Sequence, residues 1–293
     1  MKVCGFTFIR NAEKFDFPIV EAINSILPLC DCFVVAVGGS DDNTRKIIEN
    51  IDSDKITIID TVWDESLKNG GVVYAAETDK AFNVIKEEYD WCFYIQGDEV
   101  LHEKYLPIVK KAMLENLKNK LVEGLLFRYQ HFFGNFDYVA ISRKWYRNEI
   151  RIIRNDKKIH SYRDAQGFRK DGTKLNVVKV DAEIYHYGWV RHPKFMQEKI
   201  DSVKQFYDGI SEEEAVKKAG EQEFNYERKY DILAKFEGLH PKLMKLRIQR
   251  LNWEIDIDLS KTNLKFKYRV LHKIEKLFRV RLFEYRNYRI LKN

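Results

Sequence analysis

Asp98 and Glu99 are adjacent carboxylates that follow the apolar run Trp91-Cys92-Phe93-Tyr94-Ile95, with Gln96 and Gly97 between. Such a run predicts a strand buried on both faces, with the acidic pair placed where it ends. In an open α/β sheet the loops beyond the strands' carboxyl ends form the ligand crevice, so the pair is expected at its floor. Two carboxylates on a short loop suit a hard divalent cation, which takes oxygen ligands and offsets the charge of phosphate oxygens. Gly97 lets the backbone approach a ligand closely. The alternative is capping of the helix predicted from about Glu103, because acidic residues commonly open helices.

The elements that must position this pair read from the amino terminus as strand, helix, strand, helix, strand, helix, strand. Val3 to Ile9 is the first strand, and Pro18, Ile19, Ile23, Ile26 and Leu27 give helical spacing. Cys32 to Val37 and Ile56 to Asp60 are the next strands, and a helix is predicted over Tyr74 to Glu88 before the strand that ends at Ile95. The alternation predicts an α/β fold with a mostly parallel central sheet and flanking helices. Beyond it come a helix over Glu103 to Leu117, a strand near Leu125 to Tyr129 and another over Val177 to Val180.

Three segments fall at the ends of those strands: Phe8-Ile9-Arg10-Asn11-Ala12-Glu13, Gly39-Ser40-Asp41-Asp42-Asn43-Thr44 and Gln96-Gly97-Asp98-Glu99. In this order and at these places they resemble the motifs of family 2 glycosyltransferases, which have the GT-A fold; the resemblance covers about Met1 to Trp189. It implies transfer of a sugar from a nucleotide-sugar donor to a glycan or lipid-linked acceptor, normally with Mg²⁺ or Mn²⁺. Arg10, Asn11, Glu13 and Asp41 then fall at the donor's base and ribose, although one of Asp41 and Asp42 is expected only to cap a helix. The family pattern at the third segment is Asp-x-Asp, and Gln96 stands in its first acidic place. A neutral amide can still bond a ribose hydroxyl, so Gln96 and Gly97 are assigned to the donor. Asp98 is assigned to the metal, with Glu99 as a further ligand or a support for Asp98.

Further along, Arg154 belongs to an arginine-rich strand whose guanidinium groups can grip a pyrophosphate, or else pair with Glu149 or Asp156. The polar segment from His160 to Arg169 holds Asp164, where inverting members of the family keep the carboxylate that deprotonates the acceptor. Its alternative is a loop aspartate paired with Arg163 or Arg169. His186, in Tyr185-His186-Tyr187-Gly188-Trp189, corresponds by order to a late-chain metal-binding histidine. Imidazole suits Mn²⁺ beside carboxylates, whereas a histidine amid aromatics is otherwise a packed core residue.

The 293 residues divide by this reading into a catalytic domain over 1–190 and a helical region over 191–293 that ends in a basic, aromatic tail. From Lys261 to Asn293 eleven Lys or Arg face two Glu, net +9, so with +6 overall the preceding residues carry −3. Interleaved charge and aromatics in the tail fit an anionic bilayer surface, or an ordinary packed helix. The net acidic body argues against a nucleic-acid binder, and the missing glycine-rich loop after the first strand argues against a sugar nucleotidyltransferase, the two alternative functions. Cys4, Cys30, Cys32 and Cys92 lie in or beside apolar runs and are expected reduced, without the second cysteine pair or nearby histidine of a zinc site. Nowhere do 18 apolar residues follow one another, and Met1 to Ile9 reads as a strand and not a signal peptide, so the expected place is the cytoplasm.

Overall fold

In the computed structural model, which describes residues 1–67, 69–207, 223–228, 230–260 and 262–291, the apolar runs become strands at the centre of a large curled sheet. The amino-terminal half contains β1 (Val3–Ile9), α1 (Ile19–Ile26), β2 (Cys32–Gly38), α2 (Thr44–Glu49), β3 (Ile56–Thr61), α3 (Val72–Asn83), β4 (Trp91–Tyr94), β5 (Glu99–Leu101) and α4 (Leu106–Glu115). There follow β6 (Gly124–Gly134), β7 (Tyr138–Ala140), β8 (Asn148–Arg154), β9 (Ile159–Tyr162), β10 (Gly167–Lys170), β11 (Thr173–Lys174) and β12 (Asn176–Val190). The remaining described elements are α5 (Pro193–Tyr207), β13 (Leu233–Lys235), α6 (Lys245–Leu251), α7 (Phe266–Phe278) and β14 (Arg289–Ile290).

The α/β class is the one expected. Strands β3-β2-β1-β4 run parallel and carry side chains into cores on both faces. Val3, Phe33, Val35 and Phe93 pack toward α1, while Cys4, Phe6, Val34 and Tyr94 pack toward Phe82 of α3. Alternate side chains of a strand point to opposite faces, so an almost unbroken apolar run fills both layers. Beyond β4 the sheet is mixed: β8 pairs antiparallel with β4 and β6, β6 runs parallel with β12, and β5 returns antiparallel to β12. The expected parallel sheet therefore describes its amino-terminal half.

The described part of the region after residue 190 carries helices α5, α6 and α7 together with two short strands. β13 pairs with β7, and β14 lies parallel to β12 with Asn176 opposite Arg289. Much of the basic tail is tied to the body: Arg147 makes paired bonds of 2.7 and 2.8 Å to Glu284, and Arg169 Nη1 donates to the Asn287 carbonyl at 2.8 Å. The predicted helix start at Ser211-Glu212-Glu213-Glu214 lies outside the described residues. All four cysteines are free, and three of them are buried. Among the described residues no helix is long and apolar enough to cross a membrane.

Candidate active site

The strand order reverses between β1 and β4: β2 and β3 extend to one side of β1, and β8 and β6 lie beyond β4 on the other. Loops at the carboxyl ends of strands must diverge at such a point, leaving a crevice. Here it is a cavity of about 1440 Å³. Arg10 and Asn11 after β1, Asp41 after β2, and Gln96, Gly97 and Asp98 after β4 line one side of it. Asp164, His186 and helix α5 line the rest.

Backbone pairing brings His186 to Asp98. β5 and β12 are antiparallel with His186 opposite Glu99, and Tyr187 N donates to the Asp98 carbonyl at 2.8 Å. His186 Nε2 stands 3.8 Å from Asp98 Oδ1. Gly188 makes this approach possible, since a Cβ there would lie 2.5 Å from His186 Nε2 and 2.8 Å from Asp98 Oδ2. On the parallel neighbour β6, His131 is opposite His186 in register, and their Nδ1 atoms are 3.0 Å apart. His131 Nε2 contacts the Tyr146 carbonyl at 2.7 Å and so carries the proton there. Burial lowers the pKa of His131 to about 3, so its Nδ1 is a bare acceptor and His186 Nδ1 must be the donor. Burial also lowers the pKa of His186, leaving its Nε2 as a lone pair that faces the Asp98 carboxylate. Two acceptors held face to face fit a shared cation.

Asp98 is 9% exposed. Burial opposes its ionisation, but the basic groups around it, Lys199 first and Arg191 after it, outweigh burial and hold the carboxyl at about 2. Lys199 Nζ is 3.4 Å from Asp98 Oδ2, on the opposite oxygen from His186. No cluster of three or more His, Cys, Asp or Glu that could hold a metal occurs among the described residues, so the protein offers a carboxylate and an imidazole. That set suits Mg²⁺ or Mn²⁺, which commonly complete their shell with water and substrate phosphate oxygens.

Glu99 must be removed from the ligand set. Arg151 clasps it through two bonds, Nε to Oε2 at 2.8 Å and Nη2 to Oε1 at 2.6 Å, with both side chains essentially inaccessible. Tyr129 OH donates to Oε1 at 2.7 Å and Gln96 N to Oε2 at 3.1 Å, so the carboxylate is fully engaged in holding the strand end. Breaking such a buried pair by removing one partner costs about 3–5 kcal/mol. Glu99 acts as a brace for the segment that carries Asp98.

The donor-side residues divide similarly. Asn11, at φ 54°, accepts from Asp41 N at 3.1 Å through its side chain, while its own N donates to Ser40 Oγ at 3.1 Å, joining the β1 and β2 loops. Asp42 accepts from Thr44 N at 2.9 Å and is the aspartate at the start of α2. Asp41 faces the cavity and pairs with Lys14 at 2.7 Å. Glu13 is directed to Asn43 Nδ2 at 2.8 Å and does not line the cavity. Arg154 is also outside it: its guanidinium stacks on Trp91 at 3.7 Å and donates to the carbonyls of Val122, Asn116 and Asn119, a strand-fastening role. Arg10 lines the cavity above Trp63 with a buried Nε that has no hydrogen-bond partner. Gln96 Nε2 lies 3.4 Å from both Tyr94 OH and the Ala165 carbonyl.

Asp164 sits in the turn between β9 and β10, where Arg163 and Ala165 have φ of 57° and 59°. Its Oδ1 accepts from Gln166 Nε2 at 2.9 Å and its Oδ2 from Tyr207 OH at 2.7 Å. Arg169 bonds carbonyls of Phe168 and Asn287 instead of Asp164.

Sequence reasoning missed His131, the Glu99 clasp of Arg151, Tyr207 and Lys199. One signal was present for Lys199, which shares a helical stripe with Phe195, Val203 and Phe206; a charge on an apolar stripe calls for a buried partner. His131 becomes meaningful only through strand register.

No family model matches the chain, and no curated protein matches it. Among solved structures, residues 1–349 of S. aureus TarS, determined in complex with UDP, match with TM-score 0.40 and 15% identity over 73% of this chain and 68% of that chain. The chain spans 41% of the longer S. aureus TarS structure. Glucosyl-3-phosphoglycerate synthase from Mycobacterium tuberculosis, in complex with Mn²⁺, UDP and phosphoglyceric acid, gives 0.31 and 15% over 44% of this chain and 43% of that one. 4-Diphosphocytidyl-2C-methyl-D-erythritol synthase from Anaerococcus prevotii gives 0.33 and 9% over 53% and 70%. Likeness at these scores carries nothing about chemistry, which must be read from the residues themselves.

Proposed function

We propose that the chain is a glycosyltransferase that uses a nucleotide-sugar donor, holds its diphosphate over Asp98 and inverts the anomeric carbon. The observation that carries this reading is the Asp98–His186 pair, a carboxylate oxygen and an imidazole lone pair 3.8 Å apart in the crevice where strand order reverses. Asp98 and His186 would hold Mg²⁺ or Mn²⁺, which supplies charge neutralisation to the diphosphate. Asp41, Asn11 and Arg10 would form the nucleoside side of the cavity, and Gln96 would bond the ribose.

Asp164 is the acceptor-side base in this reading. As the acceptor oxygen attacks the anomeric carbon, its proton passes to the Asp164 carboxylate, and the bond to the diphosphate breaks with its electron pair leaving on the phosphate oxygen. Tyr207 and Gln166 support the role by fixing the orientation of that carboxylate. Titration calorimetry with nucleoside diphosphates and nucleotide-sugars, with and without Mn²⁺, tests the reading. Binding strengthened by Mn²⁺ is expected; no binding to any member of the set would overturn it.

The acceptor is proposed to be a glycan or lipid-linked molecule at the cytoplasmic face of an anionic membrane. Helix α7 motivates this part, because Phe266, Val270 and Leu277 share one face and are 81%, 40% and 75% exposed, with Lys267, Lys273 and Lys276 around them. The free cysteines suit a reducing compartment.

A further inference from the structure

Two basic side chains, Lys199 and Arg191, converge beside Asp98. Lys199 comes from α5, beyond the stretch whose motifs suggested a donor site, yet its Nζ reaches the cavity floor, 3.4 Å from Asp98 Oδ2 and 3.0 Å from the Gly188 carbonyl. Arg191, fully buried, converges on the same carbonyl through Nη1 at 2.5 Å and donates Nε to the Phe15 carbonyl at 2.5 Å. Its Nη2 is buried without a hydrogen-bond partner. Asp98 faces both cations, and Asp16, which with Glu21 pairs with Arg247, also faces Arg191. Burial and the neighbouring Arg191 lower the Lys199 pKa to about 7, so its charge is held only in part by Asp98, and an anion at the cavity floor would both use its spare donor and keep it an ammonium.

The two oxygens of Asp98 separate the cations that it can serve. Oδ1 faces His186 and Oδ2 faces Lys199. An ammonium has three donors, and two of those on Lys199 have partners in the protein. Lys199 also lines the cavity together with Asp98 and Arg10, while Phe17 lies beneath its ammonium at 5.1 Å. The position is therefore an anion subsite, built from a fixed lysine, on the side of Asp98 away from the imidazole.

We infer that Lys199 binds the donor's diphosphate and receives the charge that develops on its leaving oxygen. This rests on the glycosyltransferase reading and adds a consequence to it: part of the nucleoside-diphosphate affinity survives without a divalent cation. When the anomeric carbon–oxygen bond breaks, the electron pair goes to the phosphate oxygen, and the Lys199 ammonium stabilises it without transferring a proton. A point charge of this kind is tolerant of exchange to arginine and intolerant of exchange to an uncharged chain of similar length.

The test is calorimetric titration of uridine diphosphate and inorganic pyrophosphate into the wild type, Lys199→Met and Lys199→Arg, each in EDTA and in Mn²⁺, with thermal melts to verify folding. In EDTA the wild type is expected to bind, Lys199→Met to bind at least about tenfold more weakly, and Lys199→Arg to stay within about threefold, as loss of a charge-assisted bond implies. Equal affinity of wild type and Lys199→Met in EDTA would overturn the inference, as would a wild type that binds only with Mn²⁺. If the wild type bound neither ligand under either condition, the donor reading itself would fall. An unfolded Lys199→Met leaves the decision to Lys199→Arg, where more than tenfold loss by a folded variant counts against a charge role.

Discussion

His131 and His186 lie opposite each other on β6 and β12, with their Nδ1 atoms 3.0 Å apart, and this contact decides which nitrogen His186 presents to Asp98. Replacing His131 by phenylalanine removes the acceptor while roughly keeping the volume. His186 is then free to place its proton on Nε2, toward Asp98. We expect Mn²⁺-dependent nucleoside-diphosphate affinity to fall by about 10–100-fold, as for loss of partners that orient metal-binding histidines. Affinity measured in EDTA should be unchanged. Equal loss in both conditions would mean that His131 matters only for packing.

Glu149 provides a prediction about pH. It is 5% exposed, and burial raises its carboxyl to about 8. The folded chain therefore keeps a proton that an unfolded chain, with an ordinary glutamate near about 4.3, has released. Stability is fully present below the unfolded value and falls as pH rises from about 4.5 to 8. Glu149→Gln should remove that slope, matching the parent near pH 4 and exceeding it at pH 8. Urea unfolding at pH 4, 6 and 8 measures this, and parallel pH profiles for the two proteins would contradict it.

Much of this framework was legible because β1, β2 and β4 are buried on both faces and their runs need no knowledge of their neighbours. Arg10, Asn11, Asp41 and Asp98 could be placed for the same reason: each follows such a run. Long-range partnership was not legible. Glu99 is adjacent to Asp98 and equally acidic, and only its clasp by Arg151, 52 positions away, separates a brace from a ligand. The β9–β10 hairpin was also hidden, because Arg163 and Ala165 occupy left-handed conformations more usual for glycine or asparagine. Arg154, on β8, and Glu13, in the loop after β1, looked like donor contacts by their order in the chain; Arg154 turns instead to the carbonyls of Val122, Asn116 and Asn119, and Glu13 to Asn43.

Asp164 separates binding from turnover. Asp164→Asn should leave nucleotide-sugar affinity within about twofold while lowering transfer by roughly two to four powers of ten. Tyr207→Phe, which removes the 2.7 Å donor to Asp164 Oδ2, should lower kcat by a smaller factor of about ten. The product should have inverted configuration by NMR. Retention, or full transfer by Asp164→Asn, would remove Asp164 from the mechanism.

The surface of α7 is tested by point changes, because Asn287 and Tyr288 are buried and deletion of the tail would damage the body. Phe266→Ser with Leu277→Ser should weaken co-sedimentation with phosphatidylserine vesicles at all salt concentrations. Lys267→Glu with Lys273→Glu should weaken it chiefly at low salt, by about 1 kcal/mol for each lysine removed. Unchanged sedimentation by both pairs would exclude α7 as the membrane face.

The most direct measurement is titration of uridine diphosphate into wild type and Asp98→Asn across Mn²⁺ concentrations, with melting curves as the check on folding. Asp98→Asn keeps the shape of the side chain and removes the charge beside His186 and Lys199. We expect the wild type to bind more tightly as Mn²⁺ is raised, and the folded variant to show no Mn²⁺ response. A variant whose affinity rose with Mn²⁺ as steeply as that of the wild type would contradict the assignment of Asp98 as the centre of the donor site.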